Sequence, residues 1–216
     1  MAGSGAHRRG TAPAERPDRA AGRRRAGSGC NRQLGTSAAP RVRDAGLQGV
    51  AWEHYREGGV MARYWIVVGG PEIFATTREL GFTVHGFKST RRGMVQRIQP
   101  GDMLAFYITG KKQFAGTARV TGPMFEDATP LWRSAKKPEE RYPYRVPIEA
   151  DLILPEEAWI DAESLHDRFR WTQRWPREHW TLAYQGNLHE IPEEDFTLLR
   201  SELAAALERV EKARTG

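Results

Sequence analysis

The chain has 216 residues, 39% of them hydrophobic and 10% aromatic, which fits one domain of ordinary size with a real core plus a tail. No apolar run approaches the ~20 residues needed to cross a bilayer, and a lone cysteine, Cys30, excludes an intramolecular disulfide or a thiolate metal cluster, so a reducing cytoplasm is the expected compartment. The net charge of +6 is unevenly placed: residues 1–60 hold eleven arginines against five acids, whereas residues 61–216 hold 22 basic and 22 acidic side chains.

The alkaline isoelectric point therefore describes the tail. Residues 63–119 carry nine basic and three acidic side chains, and residues 120–216 carry thirteen and nineteen. A neutral domain with one basic half can still turn a basic face to phosphates.

Residues 1–60 are rich in Ala, Gly, Arg and Ser. A stretch such as "RPDRAAGRRRAGSG" cannot bury enough surface to offset the entropy of ordering and reads as disordered. It lacks the apolar segment of a signal peptide; an organelle transit peptide is the weaker alternative. "REGGVM" ahead of Met61 resembles a translated purine-rich ribosome-binding leader, which would make Met61 the native start and residues 1–60 an over-extended gene model.

"RYWIVVGG" (63–70) reads as a buried strand. "PEIFATTRELGF" begins with a proline suited to a first helical turn, and Gly81 ends that helix. "LGFTVHGFKSTRRG" (80–93) fits no regular element. The Pro100-Gly101-Asp102 turn introduces a strand from Met103 to Thr109. "GKKQ" is a hairpin loop and "FAGTARVTG" (114–122) the returning strand. "YPYRVPIEADLIL" (142–154) is a further strand region, residues 155–169 form one or two short helices, and residues 170–191 are aromatic-rich and irregular. From Pro192 the acids come first, apolar residues follow at helical spacing and bases finish the run, which marks a helix. About five or six strands with few long helices predict an α+β fold, a mixed β-barrel flanked by helices.

Catalytic signatures are missing. No histidine pair has helical ligand spacing, no Gly-rich phosphate loop or G-x-S-x-G elbow occurs, and no cofactor is implied. Adjacent acids such as Glu126-Asp127 and Glu156-Glu157 face opposite ways on a strand and read as solvated charge. The residues 80–93 have a different character. Gly81 and Gly86 allow a ligand to approach the backbone, Phe82 and Phe87 can wall a flat ring, His85 can meet a base edge, and Lys88, Arg91 and Arg92 can meet phosphates. The alternative is that both phenylalanines plug the barrel and the cations are merely solvated. Tryptophans add flat faces on which bases stack.

The blocks "RYWIVVGGPEIF", "ELGFTVHGF", "VQRIQPGDMLAFYIT", "QFAGTARVTGPMFEDATPLW" and "YPYRVPIEADLIL" resemble the EVE domain of the PUA-like superfamily, in its bacterial UPF0310-type branch, over Ala62–Leu199. "KKQFAGTARV" is similar to the matching hairpin of YTH domains, which hold methylated adenine in an aromatic cage. The resemblance implies a PUA-like β-barrel over 61–216 whose cleft accommodates a modified base in DNA or RNA. Carried over by position, Trp65, Gly69, Gly70, Pro71, Phe82, His85, Phe87, Lys88, Tyr107 and Trp132 are the base-site candidates. Lys88, Arg91, Arg92, Arg97, Lys111 and Lys112 are expected to track phosphates. Many bacterial relatives place lysine directly after the HG pair where this chain has Phe87, so the identity of the base does not transfer.

Such a module recognises without reacting, and a nuclease or translocase partner would supply the output. Two rivals stay open. One is a small hydrolase of the ASCH type acting on modified nucleosides, with Lys88 working beside Glu72 or Asp102. The other is a protein–protein interaction module with a closed cleft.

Overall fold

A computed structural model describes residues 61–215; the expectations for residues 1–60, whether tail or over-extended gene model, lie outside the described residues. The first strand, β1 (Tyr64–Gly69), is buried along its four central residues, as a strand covered on both faces requires. It pairs in parallel with β3 (Met103–Ile108), Tyr64 opposite Met103 and Gly69 opposite Ile108. Helix α1 (Pro71–Glu79), strand β2 (Val84–Phe87) and a helical turn α2 (Arg92–Val95) lie between them in sequence.

From β3 the sheet continues antiparallel through β4 (Gln113–Val120), β6 (Tyr144–Ile153) and β2. On its other side β1 takes β8 (Leu188–Ile191), also antiparallel. The order β2-β6-β4-β3-β1-β8 is a mixed sheet curled into a half-barrel, with the two-residue strands β5 (Phe125–Glu126) on β6 and β7 (Ile160–Asp161) on β4. Register shifts at Phe106/Tyr107 and at Thr117/Ala118 add the local twist that curls it.

Helix α1 ends as its sequence predicts. Gly81, at φ +65°, donates its N–H to Arg78 O, and Phe82 N–H reaches Thr77 O. This pair of bonds satisfies carbonyls that the helix end would otherwise orphan. The last helix, α3 (Glu193–Thr215), opens on Glu193, Glu194 and Asp195 and closes on Lys212 and Arg214, both favourable to its dipole. It buries Phe196, Leu199, Leu203 and Ala206 against the flank formed by β4, β6 and β7. Arg200 grips Asp151 of β6 with two bonds of 2.8 and 2.9 Å. Asp195, buried, accepts the N–H groups of Arg170 and Trp171 and so anchors the irregular aromatic segment.

Two strands run where loops are expected. β2 lies inside the stretch 80–93, and β8 closes the segment read as irregular. No described helix is long and apolar enough to cross a membrane.

Candidate nucleic-acid interface

Parallel strands β1 and β3 end side by side, and the chain leaves β1 through Gly69 and Gly70 straight into α1. A cleft of about 450 Å³ opens at this point. Gly69, Gly70, Pro71 and Asn187 form one side of it, and Lys88 and Lys111 reach it from β2 and the β3–β4 hairpin. The facing wall comes from the long connection between β5 and β6, through Ser134, Lys136, Lys137, Glu140 and Tyr142. Gly69 O is engaged by Thr109, through N–H at 2.8 Å and hydroxyl at 3.1 Å. Gly70 O receives the N–H groups of Ile73 and Phe74, so both carbonyls are committed to the frame.

The polar groups of the cleft form a chain. Lys88 Nζ lies 2.9 Å from Glu140 Oε2, which also accepts the Tyr142 hydroxyl at 2.9 Å. Burial raises the Tyr142 pKa, and Glu140 raises it further, so this phenol stays a donor. The Glu72 carboxylate lies against Gly70 and accepts Ala135 N–H at 3.1 Å. Lys111 pairs with Glu156 at 2.9 Å. Lys136 and Lys137 are exposed and form no ion pair among the described residues.

The aromatic wall expected from the sequence is elsewhere. Trp65 is fully buried; its Nε1–H donates to Asp102 at 2.8 Å and Arg97 lies over its ring. Phe82 and Phe87 are buried in the barrel with Phe74, Phe106 and His85, which is the plug alternative. Tyr107 is buried too, stacked on Tyr184 at 4.2 Å, its pKa pushed up to about 12 by burial and then by Asp161. Trp132 is 2% exposed, donates to Thr77 Oγ1 at 3.0 Å and presses its face on Gly86. His85 Nδ1 meets the same Thr77 hydroxyl at 2.8 Å, and burial pushes its pKa down to about 3. It therefore does not line the cleft. Trp65, Phe82, Phe87 and Tyr107 share one physical reason, whereas Trp132 packs in a smaller cluster with Ile73 and Tyr142. A half-barrel of this size needs its large rings for the core, since each buries 150–250 Å². The open slot between Trp65, Phe82, Phe87 and Trp132 is therefore absent, and Gly86 serves a tryptophan rather than a ligand.

The family model for the EVE domain matches residues 63–202. The chain belongs to the EVE-domain family. A UPF0310 protein of Pyrococcus horikoshii is 24% identical over 146 residues, covering 63% of this chain and 95% of its own. A UPF0310 protein of Pyrococcus abyssi is 25% identical over 147 residues, covering 64% and 97%. Among solved structures, the YTH domain-containing protein mmi1 in an RNA complex matches with a TM-score of 0.51 at 12% identity, covering 69% of this chain and 87% of that one. That likeness is one of fold.

In this EVE domain the cations expected at phosphates divide into groups. Lys88 and Lys111 are at the cleft. Arg92 pairs with Glu126, and Arg97 with Glu190, and neither arginine lines the cleft. Lys112 lies 5.8 Å from the Trp180 ring. Arg91 is half-buried, its Nε without a partner among the described residues, and its Nη2 comes 3.8 Å from where a Gly186 Cβ would be. Gly186 itself lines the cleft. Burial chiefly, with Arg91 and Arg174 adding, lowers the pKa of the neighbouring His189. Among the described residues no cluster of His, Cys, Asp or Glu could hold a metal ion.

Sequence reasoning missed the far wall and Asn187. The wall's signal was faint: Lys136-Lys137 in a polar connection reads as any solvated loop. Asn187 follows Gly186 in a turn-like pair. Its Nδ2 donates to Val68 O at 2.9 Å, and its backbone carbonyl accepts Val68 N–H at 2.8 Å, which clamps β8 beside the cleft.

Proposed function

We propose that this EVE domain binds a single modified nucleobase of DNA or RNA in the cleft at the ends of β1 and β3. The observation that carries the reading is an open cavity of about 450 Å³, within the range of small-ligand sites, with a glycine floor and a lysine rim. The bare backbone at Gly69 admits a ring closely, while the Glu72 carboxylate covers Gly70. Tyr142, Glu140 and Glu72 supply the hydrogen-bonding groups that face its edge. Lys111, Lys136 and Lys137, with Arg91 at the β8 side, meet phosphates without regard to sequence. The RNA in the mmi1 complex, a protein of the same fold, supports a nucleic-acid partner. Recognition here is non-enzymatic, and a nuclease or translocase would act on what it marks.

The test is capture of cellular nucleic acid on the immobilised protein, followed by digestion and profiling of modified nucleosides. Enrichment of one modified nucleoside is expected. It should be lost in Gly69→Leu, where the added Cβ meets only Ile73 at 3.5 Å and the longer side chain fills the cleft. Enrichment of none, or enrichment untouched by Gly69→Leu, refutes the reading.

One observation favours the hydrolase alternative: Lys88 and the carboxylates Glu72 and Glu140 share the cleft. Asp102 does not join them, because it is buried against Trp65, Arg63 N and Gln99 N. Incubation with N-acylated and N-methylated nucleosides and mass analysis of the products separates turnover from binding.

A further inference from the structure

A second groove, of about 700 Å³, lies on the other side of the wall that closes the base cleft, and Ser134, Glu140 and Tyr142 line both. We infer that this groove is a subsite for the nucleobase next in the strand, so that the domain reads a base together with its neighbour. The inference rests on the base-binding reading of the first cleft.

Three features point to that occupant. The groove is walled by Pro130, Leu131, Pro138 and Pro143, rigid apolar surfaces that suit the face of a heterocycle. Leu131, 38% exposed, gives that wall an accessible apolar side chain. Arg133 and Arg141 line the same groove, are exposed, and have no carboxylate partner among the described residues. Two free guanidiniums beside an apolar wall complement a base attached to a phosphate.

The groove is also held in shape before anything binds. Arg145, 3% exposed, donates to Asp127 and to Thr129 O at the start of the connection. Its guanidinium lies 5.1 Å from the Trp132 ring. Glu140 fixes the far end through Lys88 and Tyr142, and Ser89 N–H binds Arg141 O at 2.8 Å. A connection tied at both ends loses little entropy on binding.

The experiment measures affinity for N6-methyladenine, 5-methylcytosine and N7-methylguanine, each as a 5′-monophosphate and as the centre of a trinucleotide. In matched trinucleotides one flanking base at a time is replaced by an abasic site, which keeps every phosphate. For the probe that binds, an intact flank on one side should tighten binding about tenfold over the abasic flank, the scale of one stacked base. Leu131→Asp, at an exposed position, should abolish that gain and leave the monophosphate affinity unchanged. Equal binding of intact and abasic flanks overturns the inference, as does a gain that survives Leu131→Asp. If the monophosphates and trinucleotides all fail to bind, the base-cleft reading falls and takes this one with it. Binding of the monophosphate without a flank effect defeats the second subsite alone.

Discussion

Placing one methyl group on Gly86 tests how the barrel floor is built. A Cβ there falls 2.4 Å from Trp132 Cε3, 2.7 Å from Cζ3 and 2.8 Å from Cδ2, whereas carbon atoms rest at about 3.5–4.0 Å. The indole must retreat by roughly 1 Å, and it has no slack. Its Nε1–H is bound to Thr77 at 3.0 Å and the Arg145 guanidinium lies 5.1 Å from its ring. Overpacking of a closed core costs about 1–3 kcal/mol, and loss of a buried hydrogen bond adds about 1 kcal/mol. Gly86→Ala is therefore expected to lower unfolding stability by on the order of 3 kcal/mol. Urea denaturation followed by far-ultraviolet circular dichroism gives the number. In a Trp132→Leu background the smaller side chain yields, and the same substitution should cost less than about 1 kcal/mol. A cost under about 0.5 kcal/mol in the unsubstituted protein, or an equal cost in both backgrounds, refutes the close-contact account.

Further outcomes follow from the buried polar groups. His85 is held neutral with its pKa pushed down to about 3 from 6.5, so below pH 6.5 the unfolded chain takes up a proton that the folded chain refuses. Stability should fall as pH drops from 6.5 toward 3, by up to about 1.4 kcal/mol per pH unit. His85→Gln should flatten that slope in urea titrations, and parallel slopes would contradict the assignment. Asp102 accepts three N–H groups, from Trp65, Arg63 and Gln99. Asp102→Ala strands a buried indole donor and should cost roughly 3 kcal/mol by thermal or urea unfolding; a loss below about 1 kcal/mol would show those donors find water instead. The buried Tyr184 hydroxyl has no partner among the described residues, so Tyr184→Phe should leave stability unchanged or raise it by up to about 1 kcal/mol. A clear destabilisation would reveal a partner for the hydroxyl. The double variant Lys136→Ala, Lys137→Ala should weaken all nucleic acids alike and cut the slope of log affinity against log salt by about 1.4 for single strands; an unchanged slope removes both lysines from the phosphate path.

The frame of the fold was legible because it depends on local signals. A β-branched run gave β1 and an apolar, aromatic run gave β3, Pro71 and Gly81 bracket α1, Gly101 marks the turn before β3, and the acid-first, base-last order marks α3. β2 and β8 were not legible: each is four residues long, and a strand that short takes its state from the partner it meets rather than from its own period. The site was half legible. Gly69, Gly70, Pro71, Lys88 and Lys111 do meet at the cleft. The aromatic candidates did not, since the same rings serve a stacking wall or a packed core, and only the burial of neighbours such as Phe74 and Phe106 separates the two. Lys136, Lys137, Glu140 and Tyr142 arrive from about fifty residues after Lys88, across a connection whose path no periodicity encodes.

The position of β1 bears on how the polypeptide acquires its shape. One flank of β1 is satisfied by β3, some forty residues later, but the other waits for β8, more than 120 residues downstream. While the ribosome is still making the intervening residues, that flank carries unmatched amide and carbonyl groups beside an apolar Trp-Ile-Val-Val surface, a template for a stray strand. Nascent chains halted before residue 188 should therefore be the ones that aggregate or recruit a chaperone, and release past residue 191 should end that exposure.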